Sequence, residues 1–324
     1  MIKVENLVKM YGGHAAVDDL SFEVEKGQIY GFLGPNGAGK TTTMNIMTGY
    51  LAPTEGKVMI NSYDMATQAE AAKKCIGYLP EIPPLYPDMT VYEYLRFVSE
   101  LKKVPKDERE EQIREIMQMV EIMDVRSRLI RNLSKGYKQR VGLAQAIIGY
   151  PEVIILDEPM VGLDPRQIME TRSVIKKLAQ KQHTIILSSH ILSEISTLCD
   201  HIMIIAYGRL AASDSPEGLQ KLMVKTTEIE VCALGSREKA EEILAAVKHI
   251  HSYTFEEPSE EESIRIRIVT DDDTDIRGEI SVALTNGNMP VLSMQKKEKS
   301  LEDIFLQLTQ YEEEEEVEAD DGDL

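Results

Sequence analysis

The chain has 324 residues, 43% of them hydrophobic, and a formal net charge of −19. That length accommodates about two domains, and the acidic balance argues against a polyanionic partner such as nucleic acid. No apolar run approaches the roughly 20 residues of a membrane helix, and the N-terminus lacks an apolar signal core, so the chain is expected in the cytoplasm.

Two strand signals open the chain, IKVENLVKMY and LSFEVEKGQIYGFLG, the second broken by a turn at Glu25-Lys26-Gly27. The apolar run before Gly34 feeds a glycine loop, GPNGAGKT, and then a helix from about Lys40. Between about 85 and 150 the signals are helical only. Thr90 and Glu93 form a T-x-x-E capping box ahead of VYEYLRFVSELKK. KDEREEQIREIMQMVEIM is amphipathic and acidic at its start, as the helix dipole favours, and Ser134 opens SKGYKQRVGLAQAIIGY. EVIILDEP reads as a buried strand followed by a helix near 165–181; HTIILSSH is another, followed by a helix near 191–199; HIMIIAYGRL closes the series. Buried strands alternating with helices predict a mostly parallel sheet covered on both faces.

After Pro216 the order becomes strand (TEIEVCAL), helix (REKAEEILAAVKH), strand (HSYTFEE), strand (SIRIRIV), helix near 274–286 and strand (PVLSMQK). In SIRIRIV, Ile264, Ile266 and Ile268 fall on one face and Arg265 and Arg267 on the other. This β-α-β-β-α-β order is the ferredoxin-like split unit. A last helix, LEDIFLQLTQ, precedes a tail with nine acids between Glu312 and Asp323 and no base, which reads as a solvated, disordered segment. The expected organisation is 1–215, with a helical subdomain at about 85–150, then 216–310, then the tail 311–324. Cys75, Cys199 and Cys232 form no C-x-x-C pair and read as buried free thiols.

Four motifs carry chemistry. Gly34 to Thr41 reads G-x-x-x-x-G-K-T, between a strand and a helix. Such a loop surrounds a phosphate chain with N–H groups, here from Gly34, Asn36, Gly37, Ala38, Gly39 and on into Thr42. Lys40 is expected to reach the β- and γ-phosphates, and Thr41 to place its hydroxyl on Mg²⁺. The strand VIILDEP ends in Asp157, a carboxylate that burial penalises unless a cation or hydrogen bonds compensate it. Asp157 is therefore read as a Mg²⁺ residue, and Glu158 as the general base for an attacking water, or the group that orients it. His190 in LSSH follows the next strand, where the carboxyl ends of a sheet face the ligand, and is read as a partner of the γ-phosphate. Ser134 and Gly136 lie at a helix start, which attracts anions; a plain N-cap serine is the alternative there.

These motifs, in this order, resemble the nucleotide-binding subunit of ATP-binding cassette (ABC) transporters over about residues 1–215. The resemblance implies a P-loop NTPase fold of class α/β and two ligands, ATP and Mg²⁺. In that family L-S-G-G-Q binds the γ-phosphate of ATP held by a partner subunit; here the motif reads Leu133-Ser134-Lys135-Gly136-Tyr137. Tyr11 matches the aromatic that stacks on adenine. VGLDP matches the D-loop and implies a dimer-interface position for Asp164. His190 matches the switch histidine. IGYLPE matches the segment that contacts metal and membrane subunit, with Glu81 in place of its usual glutamine, so Glu81 joins Thr41 and Asp157 as an expected metal contact. The tail domain is similar to that of exporter-type ATPases. The resemblance thus implies an ATPase subunit of a bacterial exporter, peripheral on the inner face of the cell membrane. It also implies pairing with a second, identical ATPase subunit and with integral membrane permease subunits, which PEIPPLYPDMTVYEYL is expected to meet. The alternatives are an importer ATPase, or a soluble ABC ATPase in translation or DNA repair.

Overall fold

The computed structural model describes residues 1–222, 227–256, 263–271, 275–297 and 305–306. The acidic tail and nearly all of LEDIFLQLTQ lie outside them. The chain divides into two units, with a boundary between Pro216 and Glu217.

The first unit contains strands β1 (Ile2–Tyr11), β2 (His14–Val24), β3 (Ile29–Leu33), β4 (Glu55–Ile60), β5 (Tyr63–Asp64), β6 (Ile76–Leu79), β7 (Val153–Leu156), β8 (Thr184–Ser189), β9 (His201–Ala206) and β10 (Arg209–Asp214). They form two sheets. One is antiparallel, in the order β2-β1-β4-β5; the other runs β10-β9-β3-β8-β7-β6 and is parallel except for the β9–β10 hairpin. Every residue of β3, β7 and β8 is buried, as expected of parallel strands covered on both faces. The single mostly parallel sheet read from the sequence is therefore only the larger of two. β1 and β2 leave it and pair with each other instead. Phe22 of β2 meets Phe32 of β3 edge to face, with ring centroids 5.2 Å apart, and the two sheets share one core with Ile2, Leu20, Met44 and Ile155.

Helices α1 (Lys40–Met47) and α2 (Ala69–Lys74) lie between strands, α3 (Val91–Leu101), α4 (Arg109–Met119) and α5 (Lys135–Ile147) form the helical insertion, α6 (Pro165–Gln180) and α7 (Leu192–Ser196) follow β7 and β8, and α8 (Pro216–Leu222) spans the unit boundary. The predicted Thr90–Glu93 capping box is present at the start of α3.

The second unit follows the order β11 (Glu228–Leu234), α9 (Arg237–Leu244), β12 (Ile250–Glu256), β13 (Ser263–Thr270), α10 (Arg277–Asn286) and β14 (Val291–Lys297). Its sheet is antiparallel, in the order β12-β13-β11-β14, so the first and third of its four strands are central, as in the ferredoxin-like arrangement. Ile266 and Ile268 are fully buried with Val231, Leu244 and Ile280. On the other face Arg265 and Arg267 pair with Glu230 and Glu228 across the strands at 3.3 and 2.8 Å.

Candidate active site

The glycine loop leaves β3 at Leu33 and enters α1 at Lys40. A Cβ on Gly34 would overlap the Ile205 carbonyl oxygen. Gly39 has φ +96° and lies equally close to the Ala16 carbonyl oxygen. Only glycine fits such positions, and no side chain caps the start of α1, so its first N–H groups are left for an anion. Lys40 is buried, and its Nζ donates to the carbonyls of Gly34 at 2.8 Å and Pro35 at 3.0 Å. Burial pulls the lysine pKa down, and the nearby Glu158, Asp157 and Glu81 carboxylates oppose that shift only in part.

Two carboxylates follow β7. Asp157 is 1% exposed. Its Oδ1 accepts from Ser188 Oγ at 2.6 Å and from Thr41 Oγ1 at 3.3 Å, whereas its buried Oδ2 has no partner. A buried, unpaired carboxylate oxygen is costly. With the Thr41 hydroxyl alongside, it fits a hard cation that prefers oxygen ligands, such as Mg²⁺. Glu158 has φ +48°, a left-handed backbone costing a non-glycine residue about 1 kcal/mol. Its N–H donates to Ser188 Oγ at 2.8 Å. Its carboxylate oxygens both lie 3.1 Å from His190 Nδ1, and Oε1 is 4.0 Å from Lys40 Nζ.

Asn36, Gly37, Gly39, Lys40, Thr41, Thr42, Glu81, Glu158 and His190 line one cleft of about 290 Å³, together with Ala16 and Val161. Ala38 is buried beneath the loop, where its carbonyl accepts from Gly208 N–H at 3.2 Å. Tyr11 is half exposed at the end of β1, outside the cleft lining, with Lys9 Nζ 5.4 Å from its ring centroid.

Ser134, Gly136 and Asp164 gather elsewhere. Ser134 caps α5, accepting from Tyr137 N–H at 3.4 Å. Asp164 caps α6 in a reciprocal box with Gln167, and a Cβ on Gly136 would fall 2.6 Å from the Gln167 amide oxygen. The start of α5 therefore packs against the VGLDP loop, and Lys135 lies along Gly162 of that loop. Tyr137 donates to Asp124 at 2.6 Å. Among the residues that sequence reasoning passed over, Ser188 stands out. It lies within LSSH, and a polar residue at the end of an apolar strand is a signal that could have singled it out, though not its partners.

Residues 17–161 match the family model described as ABC transporter. The chain is 36% identical over 309 residues to the bacitracin transport ATP-binding protein BcrA of Bacillus licheniformis, covering 95% of this chain and 97% of that one. The chain belongs to the ABC transporter family. It is an ATP-binding subunit of that family and an ATPase. This ABC subunit is also 30% identical over 309 residues to the linearmycin resistance ATP-binding protein LnrL of Bacillus subtilis, covering 95% and 98% of the two chains. In structure it is similar to the dimeric ABC transporter cassette MJ0796, with a TM-score of 0.62 and 25% identity over 66% of this chain and 98% of that one. No helix among the described residues is long and apolar enough to cross a membrane.

Proposed function

We propose that this chain powers an exporter. In this reading two copies form a head-to-tail dimer, bound to separately encoded permease subunits on the inner face of the cell membrane. The convergence of Lys40, Thr41, Glu158 and His190 on one cleft, with Asp157 bonded to Thr41 behind them, carries the reading. ATP phosphates would take the loop N–H groups and draw Lys40 Nζ from the Gly34 and Pro35 carbonyls. Thr41 and Asp157 would hold Mg²⁺, with Glu81 at the edge of the cleft; when bound, that ion neutralises charge on the phosphate oxygens. Glu158 would take the proton of the attacking water or orient it, and His190, hydrogen-bonded to Glu158, would reach the γ-phosphate.

Two observations favour a dimer that completes each site in trans. Ser134, Gly136 and Asp164 lie outside the cleft that their own chain forms, and the similar cassette MJ0796 is dimeric. ATP binding then favours the closed dimer because it adds contacts available only in that state. Outward transport is favoured by the relatives named for bacitracin transport and linearmycin resistance, whose likeness spans the ferredoxin-like unit as well.

Mixing two inactive variants tests the arrangement. Ser134→Arg chains combined with Lys40→Ala chains should recover part of the ATPase activity, because the heterodimer contains one site with both lesions and one with neither. Heterodimers that form without recovering activity would contradict trans pairing.

A further inference from the structure

We propose that Ser188 is a positioning residue for ATP hydrolysis: its buried hydroxyl sets the rotation of the Asp157 carboxylate and tethers the Glu158 peptide. The inference rests on the reading of Asp157 as a metal-side carboxylate and Glu158 as the water-side one.

The parallel register of β7 and β8 pairs Leu156 with Leu187. The next residues along, Asp157 and Ser188, therefore come side by side at the carboxyl ends of the strands. Ser188 is fully buried, so water does not compete for its hydroxyl. The roles at that hydroxyl follow from chemistry. The Glu158 amide can only donate, so Ser188 Oγ accepts from it at 2.8 Å. The single hydroxyl hydrogen then goes to Asp157 Oδ1 at 2.6 Å.

Two consequences follow at the site. Oδ1 is engaged by both Ser188 and Thr41, which leaves Oδ2 as the free, buried oxygen. Glu158 is held at φ +48° with its N–H tethered, the backbone setting in which its carboxylate meets His190. The adjacent serine does something else: Ser189 Oγ donates to Glu194 at 2.8 Å and accepts from Ile191 N–H at 3.0 Å.

The test uses the full chain, ADP and Mn²⁺ as the metal probe, with bound Mn²⁺ read by electron paramagnetic resonance. Partners behind a metal ligand typically contribute about 10–100-fold in affinity or activity. Ser188→Ala should weaken Mn²⁺ binding about tenfold and lower kcat by a similar factor or more, while ADP affinity measured in EDTA stays unchanged. Ser188→Cys, which keeps the unbranched side chain and adds a slightly larger atom that donates only weakly, should show the same defect if Ser188→Ala does not fold. In an Asp157→Asn background, Ser188→Ala should cause no further loss of Mn²⁺ affinity, because its effect acts through that carboxylate. Unchanged Mn²⁺ affinity and kcat in either folded Ser188 variant would overturn the proposal, as would a full additive loss beside Asp157→Asn. If Asp157→Asn itself leaves Mn²⁺ binding unchanged, the underlying reading of Asp157 fails, and the proposal fails with it.

Discussion

Glu81 puts a second carboxylate, beside Glu158, on the cleft lining, where the family pattern has a neutral glutamine. It is exposed and lines the cleft with Lys40 and Thr41, and its charge raises the Lys40 pKa against the effect of burial. A carboxylate at that edge strengthens the hold on a divalent cation. Glu81→Gln is therefore expected to raise the Mg²⁺ concentration for half-maximal ATPase activity, by about tenfold at most. A Mg²⁺ titration that superimposes on that of the parent protein would show that Glu81 makes no metal contact. The cleft residues were legible in the sequence for a local reason. A glycine loop works through consecutive backbone groups, so its chemistry is written in one short stretch, and Asp157, Glu158 and His190 stand at the ends of recognisable apolar strands. Ser188 was not legible in the same way. Its role depends on the register of β7 against β8, which no local pattern states. Tyr11 shows the converse: it matched the family pattern, yet its ring lies outside the cleft lining.

Elements marked by an unbroken apolar run, helical spacing or a cap were legible, and those without such a mark were not. The buried strands β3, β7, β8 and β9 and the helices α3, α4, α5 and α6 all follow from apolar runs, helical spacing or caps. β4 begins with three exposed residues, Gly77 interrupts the apolar residues of β6, and α2 has only six residues, so none of them shows an apolar run or a period. The division into two sheets was missed because it depends on which strands pair, and β1 and β2 have the same alternation in either arrangement. Another tertiary device lies at the end of α5. The Lys102 ammonium donates to the carbonyls of Gln145, Ala146 and Ile148 at 3.0, 3.0 and 2.7 Å. It thereby joins the end of α3 to the carbonyl end of the helix that Ser134 starts. A cation there satisfies otherwise unpaired carbonyls and opposes the helix dipole. Lys102→Met should lower the stability of the first unit by about 1–2 kcal/mol, measured by chemical denaturation. An unchanged midpoint would mean that solvent replaces the lysine without loss.

At the scale of the whole molecule, the nucleotide motifs fall in the first unit, and the sequence of the ferredoxin-like unit contains no G-x-x-x-x-G-K-T loop. Its fold was legible because the alternation in SIRIRIV has a direct structural counterpart, with isoleucines in the core beside two helices and arginines paired with glutamates on the other face. In the proposed cycle ATP binding closes a dimer and ATP cleavage releases it, and Glu158 is the residue proposed to separate the two events. In the full chain supplied with ATP and Mg²⁺, Glu158→Gln should keep nucleotide binding and lose at least the roughly 10²–10⁴-fold that acid–base groups contribute to turnover. The mass in solution should then double on addition of ATP and remain doubled. The measurement is steady-state phosphate release alongside light scattering of the same sample. Trapped dimers with almost no phosphate release are the predicted result, and near-normal phosphate release from Glu158→Gln would contradict the account.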